Sequence, residues 1–153
     1  MTYILLAICI AAVFLIRKYT RIFTPYTFYA SIVFILLSLL LGKAFHFYEI
    51  IPFWDLLLHF ISGFITAPIG KQAYLNLKGD VKNLRLMLTF TLLFAVTLAA
   101  GWEIYEFAID SLLNTNAQNG SLSDTMWDII AGSVSGVIYV IVLTKQKIDS
   151  NPL

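Results

Sequence analysis

Apolar residues fall into five long blocks separated by short polar or turn-forming stretches. The blocks cover about residues 3–16, 25–45, 53–74, 84–113 and 124–144. A helix crossing a bilayer core needs ~20 apolar residues, and the last four blocks meet that length. The first is short. It either stands nearly upright or runs past Arg17 with that side chain snorkelling to the surface. Pro25 opens the second block and Pro52 precedes the third, where proline suits a first helical turn, and Pro68 predicts a kink within the third. Residues 76–85, with Gly79 and Asp80, read as a loop. So do residues 114–123, where Ser123 before Asp124 is a helix-start signal. There is no internal repeat, and residues 1–153 read as a single transmembrane domain.

Composition strengthens this reading. The chain is 59% hydrophobic and 12% charged, with a mean hydropathy of +0.83. Soluble domains are about half apolar and a quarter charged. The expected fold is therefore all-α, an integral membrane bundle of five transmembrane helices. The net charge of +1 says nothing about nucleic acid, but the chain has no basic block large enough to bind it, so no nucleic-acid partner is expected. Cys9 is the sole cysteine, which excludes an intrachain disulfide and a thiolate metal site. The first block lacks a basic leader and a small-residue cleavage site, so it reads as a retained span.

The basic residues predict orientation. Arg17, Lys18 and Arg21 follow the first span. Lys71, Lys78, Lys82 and Arg85 lie between the third and fourth. Lys145 and Lys147 follow the fifth. Five spans put all of these on one side, leaving only Lys43 on the other. The predicted N-terminus is then outside and the C-terminus cytoplasmic.

With that topology, three acidic pairs converge at one depth. Asp55 and His59 lie near the outer end of the third span, Glu103 and Glu106 toward the outer end of the fourth, and Asp124 and Asp128 at the outer start of the fifth. Spacings of three and four put each pair on one helix face. Asp110 extends the acidic row of the fourth span. Gly63, Gly132 and Gly136 continue the polar faces inward, where small residues let helices pack closely. Trp54, Trp102 and Trp127 flank the set at the depth of an aromatic belt.

Five carboxylates and one histidine cannot all stay ionised together without compensation. A divalent cation would neutralise them, and this donor set suits magnesium, manganese, zinc or iron. An anionic phosphate could bridge to it, favoured by the positive N-terminal ends of the third and fifth spans. Protonated, mutually hydrogen-bonded carboxylates are the other solution. Ordinary structural roles compete residue by residue. Asp55 and Asp124 lie where helix caps lie, His59 alone suits a hydrogen-bonded core histidine, and His46 and Glu49 suit a surface loop. Glu103 and Glu106 are at no helix start, and capping does not account for them.

The motifs WDLLLHFISGF, GWEIYEF and SDTMWDIIAGSVSG resemble those of the YjdF-like group of small bacterial membrane proteins and, more loosely, the VanZ-like proteins. The shared pattern is D-x3-H, then E-x2-E or E-x2-Q, then D-x3-D or D-x3-N before a glycine-rich stretch. Asp55, His59, Glu103, Glu106, Asp124, Asp128 and Gly132 match it in order, over the last three spans only. The YjdF-like resemblance implies a multi-pass protein of the bacterial inner membrane. The VanZ-like one implies a link to teicoplanin-type resistance, although Glu106 stands where a VanZ-like chain has glutamine. Three functions follow as expectations. The first is a metal-dependent hydrolase of a lipid or lipid-linked phosphate, with the cation held by Asp55, His59, Glu103, Glu106, Asp124 and Asp128 on the extracytoplasmic side. The second is a non-enzymatic protein binding an envelope ligand or glycopeptide antibiotic. The third is an ion or proton translocator. It ranks last, because the inner halves of the last three spans offer only Thr66, Thr89, Thr91, Ser133 and Ser135 as polar groups.

Overall fold

A computed structural model describes residues 2–78, 83–118 and 121–149. The expected Gly79–Asp80 turn and Lys82 lie outside these residues. The chain forms α1 (Thr2–Tyr19), then α2 (Pro25–Ile35), which continues as a π-helical segment (Leu36–Ala44). A single turn, α3 (Phe47–Ile50), leads to α4 (Trp54–Lys78), α5 (Leu84–Leu113) and α6 (Leu122–Asp149). No strand occurs among the described residues.

Local chemistry explains most boundaries. α1 runs past Arg17 and Lys18 to Tyr19, and the Arg17 guanidinium lies 3.9 Å from the Phe28 ring centroid, tying α1 to α2. Thr24 caps α2 in a reciprocal capping box with Thr27, and Pro25 fills the first helical turn. α4 passes unbroken through Pro68. α6 starts at Leu122, earlier than Ser123 and Asp124 indicate. Its cap is Ser121, whose hydroxyl accepts from the Asp124 backbone N–H at 3.3 Å.

Among the described residues, four helical stretches are long and apolar enough to cross a membrane: Thr2–Tyr19, Pro25–Ala44, Leu84–Leu113 and Leu122–Gln146. The helix expected as the third span, α4, is not among them. It has 25 residues, about 37 Å at ~1.5 Å per residue, but it carries Asp55, His59, Lys71, Gln72 and Asn76. It is also the helix most enclosed, packed by α5 and α6 and, more lightly, by α2. A helix sheltered by others needs less apolar surface than one facing lipid.

The trio α4–α6 is the core of the molecule. α5 turns inward a ridge of Met87, Thr91, Ala95, Ala99 and Glu103, one residue every four. α6 meets it with glycines. A Cβ on Gly132 would lie 3.0 Å from that of Ala99, and one on Gly136 would lie 3.0 Å from that of Ala95. On the other side, a Cβ on Gly63 of α4 would collide with Ser135 Oγ and the Gly132 carbonyl. Tyr74, Met87 and Leu143 form a buried apolar cluster at one end of the trio. His59, Glu103 and Asp128 lie at the other. His59 and Tyr74 are fifteen residues apart on α4, about 22 Å along its axis. α4 therefore lies alongside both neighbours, antiparallel to α5 and parallel to α6.

Candidate metal centre

Asp55 and His59 stand one turn apart on α4, and Asp128 faces them from α6. One ligand atom from each lies within 4.8 Å of the other two. Two ligands of one ion can be no farther apart than twice the bond length, roughly 4–5 Å for bonds of ~2.0–2.6 Å. The three side chains thus fit a shared cation. Glu103 adds a fourth donor from α5, with its Oε1 3.5 Å from His59 Nε2, while Asp55 Oδ1 is 3.6 Å from the same nitrogen.

Both separations exceed an ordinary hydrogen bond of ~2.7–3.2 Å. Glu103 Oε1 has no hydrogen-bond partner, and Glu103 is 2% exposed. Asp128 and His59 are buried as well. An unpartnered buried acceptor costs about 1–3 kcal/mol, more for a charged group. Three helices therefore bring oxygen and nitrogen donors to one place and leave one buried oxygen unsatisfied.

Glu106 and Asp124 stand outside this inner group. Glu106 accepts a hydrogen bond from Trp102 Nε1 at 2.8 Å. Asp124 stands one helical turn before Asp128 on α6. Of the six sequence candidates, Asp55, His59 and Asp128 are tightly grouped and Glu103 touches the group, while Glu106 and Asp124 sit one turn along their helices from Glu103 and Asp128. Asp110 has a different task. It accepts from Thr115 Oγ1 and from the backbone N–H groups of Ala117 and Gln118, folding the loop after α5 back onto its end.

Several neighbours carried no sequence signal. Gln118 Nε2 donates to Thr125 Oγ1 at 3.0 Å and to the Glu103 carbonyl at 3.3 Å, bracing α5 against α6 beside the centre. Thr125 was detectable only as a residue one helical step from Asp128. Tyr48 of α3 pairs its hydroxyl with that of Ser38 at 3.0 Å, and it feels the charges of Asp55 and Glu106. Burial pushes the Tyr48 hydroxyl up to about 12, which keeps it neutral. The three tryptophans differ. Trp102 and Trp127 are exposed as belt residues are, whereas Trp54 is buried edge-on against Phe47, with ring centroids 5.0 Å apart. His46 and Glu49 form an exposed pair at 3.1 Å.

Comparison with known proteins adds a family but no activity. A Thermotoga maritima protein called only "Uncharacterized protein" is 33% identical over 97 residues, which is 63% of this chain and 50% of that protein. The chain thus spans about half the length of this curated relative. No solved structure matches. Over residues 1–148 the sequence fits the family described as "Predicted membrane protein (DUF2238)", and the chain belongs to that family.

Proposed function

We propose that this is a metal-dependent membrane protein whose single cation site lies at one end of α4–α6. Asp55, His59 and Asp128 hold the ion, Glu103 completes its shell, and Glu106 and Asp124 stand by as outer carboxylates. The observation that carries this is Glu103 Oε1, buried without a donor and aimed at a three-residue group of metal ligands. A cation there would satisfy the orphan oxygen and cancel the repulsion among the carboxylates. The mixed imidazole and carboxylate set favours manganese, iron or zinc over magnesium, which prefers oxygen alone and keeps its water.

The topology proposed with it has five spans, α4 included, with the N-terminus outside, in a bacterial inner membrane. The centre then opens to the extracytoplasmic side. A cation at that depth would polarise a phosphoryl oxygen and activate a water, the chemistry of a hydrolase acting on a lipid or lipid-linked phosphate. The YjdF-like resemblance agrees with the family assignment. The VanZ-like role in binding an envelope ligand or antibiotic finds no support in the matches. Translocation is disfavoured by the interior of the trio. Thr91 Oγ1 is buried without a partner, and Ser135 bonds only carbonyls of its own helix, so no polar chain links the centre to the opposite face among the described residues.

Elemental mass spectrometry of the purified protein tests the reading. A stoichiometric divalent ion is expected in the wild type and its loss in Asp128→Asn. A wild-type protein that stays free of metal after incubation with manganese, iron and zinc would overturn it.

A further inference from the structure

Two contacts fix the gap between α5 and α6, one on either side of the centre. One turn inward, a Cβ added to Gly132 of α6 would lie 3.0 Å from that of Ala99 on α5. Ala99 is four residues from Glu103, and Gly132 is four from Asp128, so each shares the face of its acidic neighbour. On the outward side the link is a side chain from the loop. Gln118 Nε2 gives one hydrogen to the Glu103 carbonyl at 3.3 Å and the other to Thr125 Oγ1 at 3.0 Å. Thr125 precedes Asp128 by three residues and lies on the same face of α6. One amide thus joins the backbone of the fourth donor to the helix face that carries Asp128. Gln118 is itself held from behind. Asp110 Oδ2 accepts its backbone N–H at 3.0 Å, and Asp110 Oδ1 accepts that of Ala117 at 2.7 Å.

The two contacts act in opposite senses. Ala99 against Gly132 is a wall that stops the helices approaching further. The Gln118 bridge stops them parting, because its two hydrogen bonds break as the gap widens. Together they hold the donors at one spacing. Glu103 Oε1 stands 3.5 Å from His59 Nε2. Four donors at tetrahedral angles on bonds of ~2.1 Å would stand ~3.4 Å apart. A spacing that cannot grow discriminates against an ion with longer bonds, since rigid donors cannot follow it outward.

Resting on the metal reading above, we propose that Gln118 is a positioning residue that sets the ion-size selectivity of the centre, favouring zinc-sized divalent ions over larger ones. Gln118 supplies no ligand to the ion and acts through the Glu103 backbone and Thr125. Removing its amide leaves all four donors in place and releases only the gap between them. A merely structural brace would weaken every ion alike, whereas a positioning residue changes their ratio.

The test uses the full chain in neutral detergent and follows the thermal unfolding midpoint in separate titrations with zinc and with the larger cadmium ion. The wild type should bind zinc more tightly than cadmium. Gln118→Ala should keep the zinc-dependent rise in midpoint, while its preference for zinc over cadmium falls about tenfold, the scale of one lost hydrogen-bonded link. Thr125→Val removes the acceptor at constant shape and should lower the preference in the same way, which carries the comparison if Gln118→Ala does not fold. Thr125→Ser keeps a hydroxyl and should keep the wild-type ratio. The wild-type ratio in Gln118→Ala or Thr125→Val, an equal loss of affinity for both ions, or a wild type that prefers cadmium overturns the positioning role and leaves the metal centre standing. No zinc-dependent rise in the wild type overturns the selectivity for zinc-sized ions. Absence of a rise with manganese and iron as well overturns the centre and the selectivity together.

Discussion

The buried oxygen of Glu103 separates the two ways of keeping this cluster folded. If a cation satisfies it, ion binding stabilises the fold by mass action, roughly 2.7 kcal/mol at a hundredfold excess over the dissociation constant. Chelator should then lower the unfolding midpoint of the detergent-solubilised protein, and one particular divalent ion should restore it. Glu103→Gln keeps the shape and loses the charge, so it should fold but lose that ion dependence. If the carboxylates instead share protons, chelator does nothing. The substitution is then neutral or stabilising, because it removes a buried charge. Asp110 supplies the contrast. Asp110→Ala should lower the midpoint by freeing the loop of residues 114–118 and leave the metal-dependent shift intact. At this scale the sequence was legible wherever spacing carries the message. D-x3-H and D-x3-D put both residues on one helix face, and Asp55, His59 and Asp128 do meet. E-x2-E was less legible. A three-residue step falls about 60° short of a full turn, which leaves Glu103 facing inward while Glu106 swings to Trp102.

Among the elements, the α4–α6 contact sets the width of the centre, and Gly63 sets that contact. The centre lies about one turn outward from it, at His59 on α4 and Asp128 on α6. Gly63→Ala would push a methyl group into Ser135 and the Gly132 carbonyl. Backbone cannot yield as a flexible side chain can, so α4 and α6 must part. The expected cost is about 1–3 kcal/mol, together with a weakened metal-dependent shift, since Asp55 and Asp128 would separate too. Gly101→Ala is the matched control. Nothing lies within 4 Å of a Cβ there, so it should stabilise α5 by about 0.5–1 kcal/mol and leave metal binding alone. Thermal unfolding with and without chelator reads both variants. The packing glycines are visible in sequence because they repeat at helical spacing beside polar residues. The π segment is not, since its wider hydrogen-bond register leaves no mark on an apolar run such as Leu36–Ala44.

For the molecule as a whole, the open question is whether α4 crosses the bilayer. Hydropathy alone argues against it, since α4 falls outside the set of membrane-length apolar helices. Packing argues for it. α4 touches α5 and α6 at both ends, through His59 and Glu103 at one and through Tyr74, Met87 and Leu143 at the other. A helix lying on the membrane surface could not follow two spanning helices for about 22 Å of a hydrocarbon core only ~30 Å thick. If α4 crosses, its low hydropathy reflects shelter by neighbours rather than contact with water, a distinction that a hydropathy window cannot make. Single cysteines placed at Glu49, Asn76 and Asn116 in a Cys9→Ala background decide the matter in intact cells. If α4 crosses and the N-terminus is outside, an impermeant thiol reagent should label Glu49→Cys and Asn116→Cys and spare Asn76→Cys until the cells are opened. If α4 does not cross, positions 49 and 76 share a side and respond alike, with 116 on the other. Labelling at 76 alone would mean five spans in the opposite orientation. The centre would then face the cytoplasm, against the nine-to-one split of basic residues, and the outer-leaflet substrate would have to be abandoned.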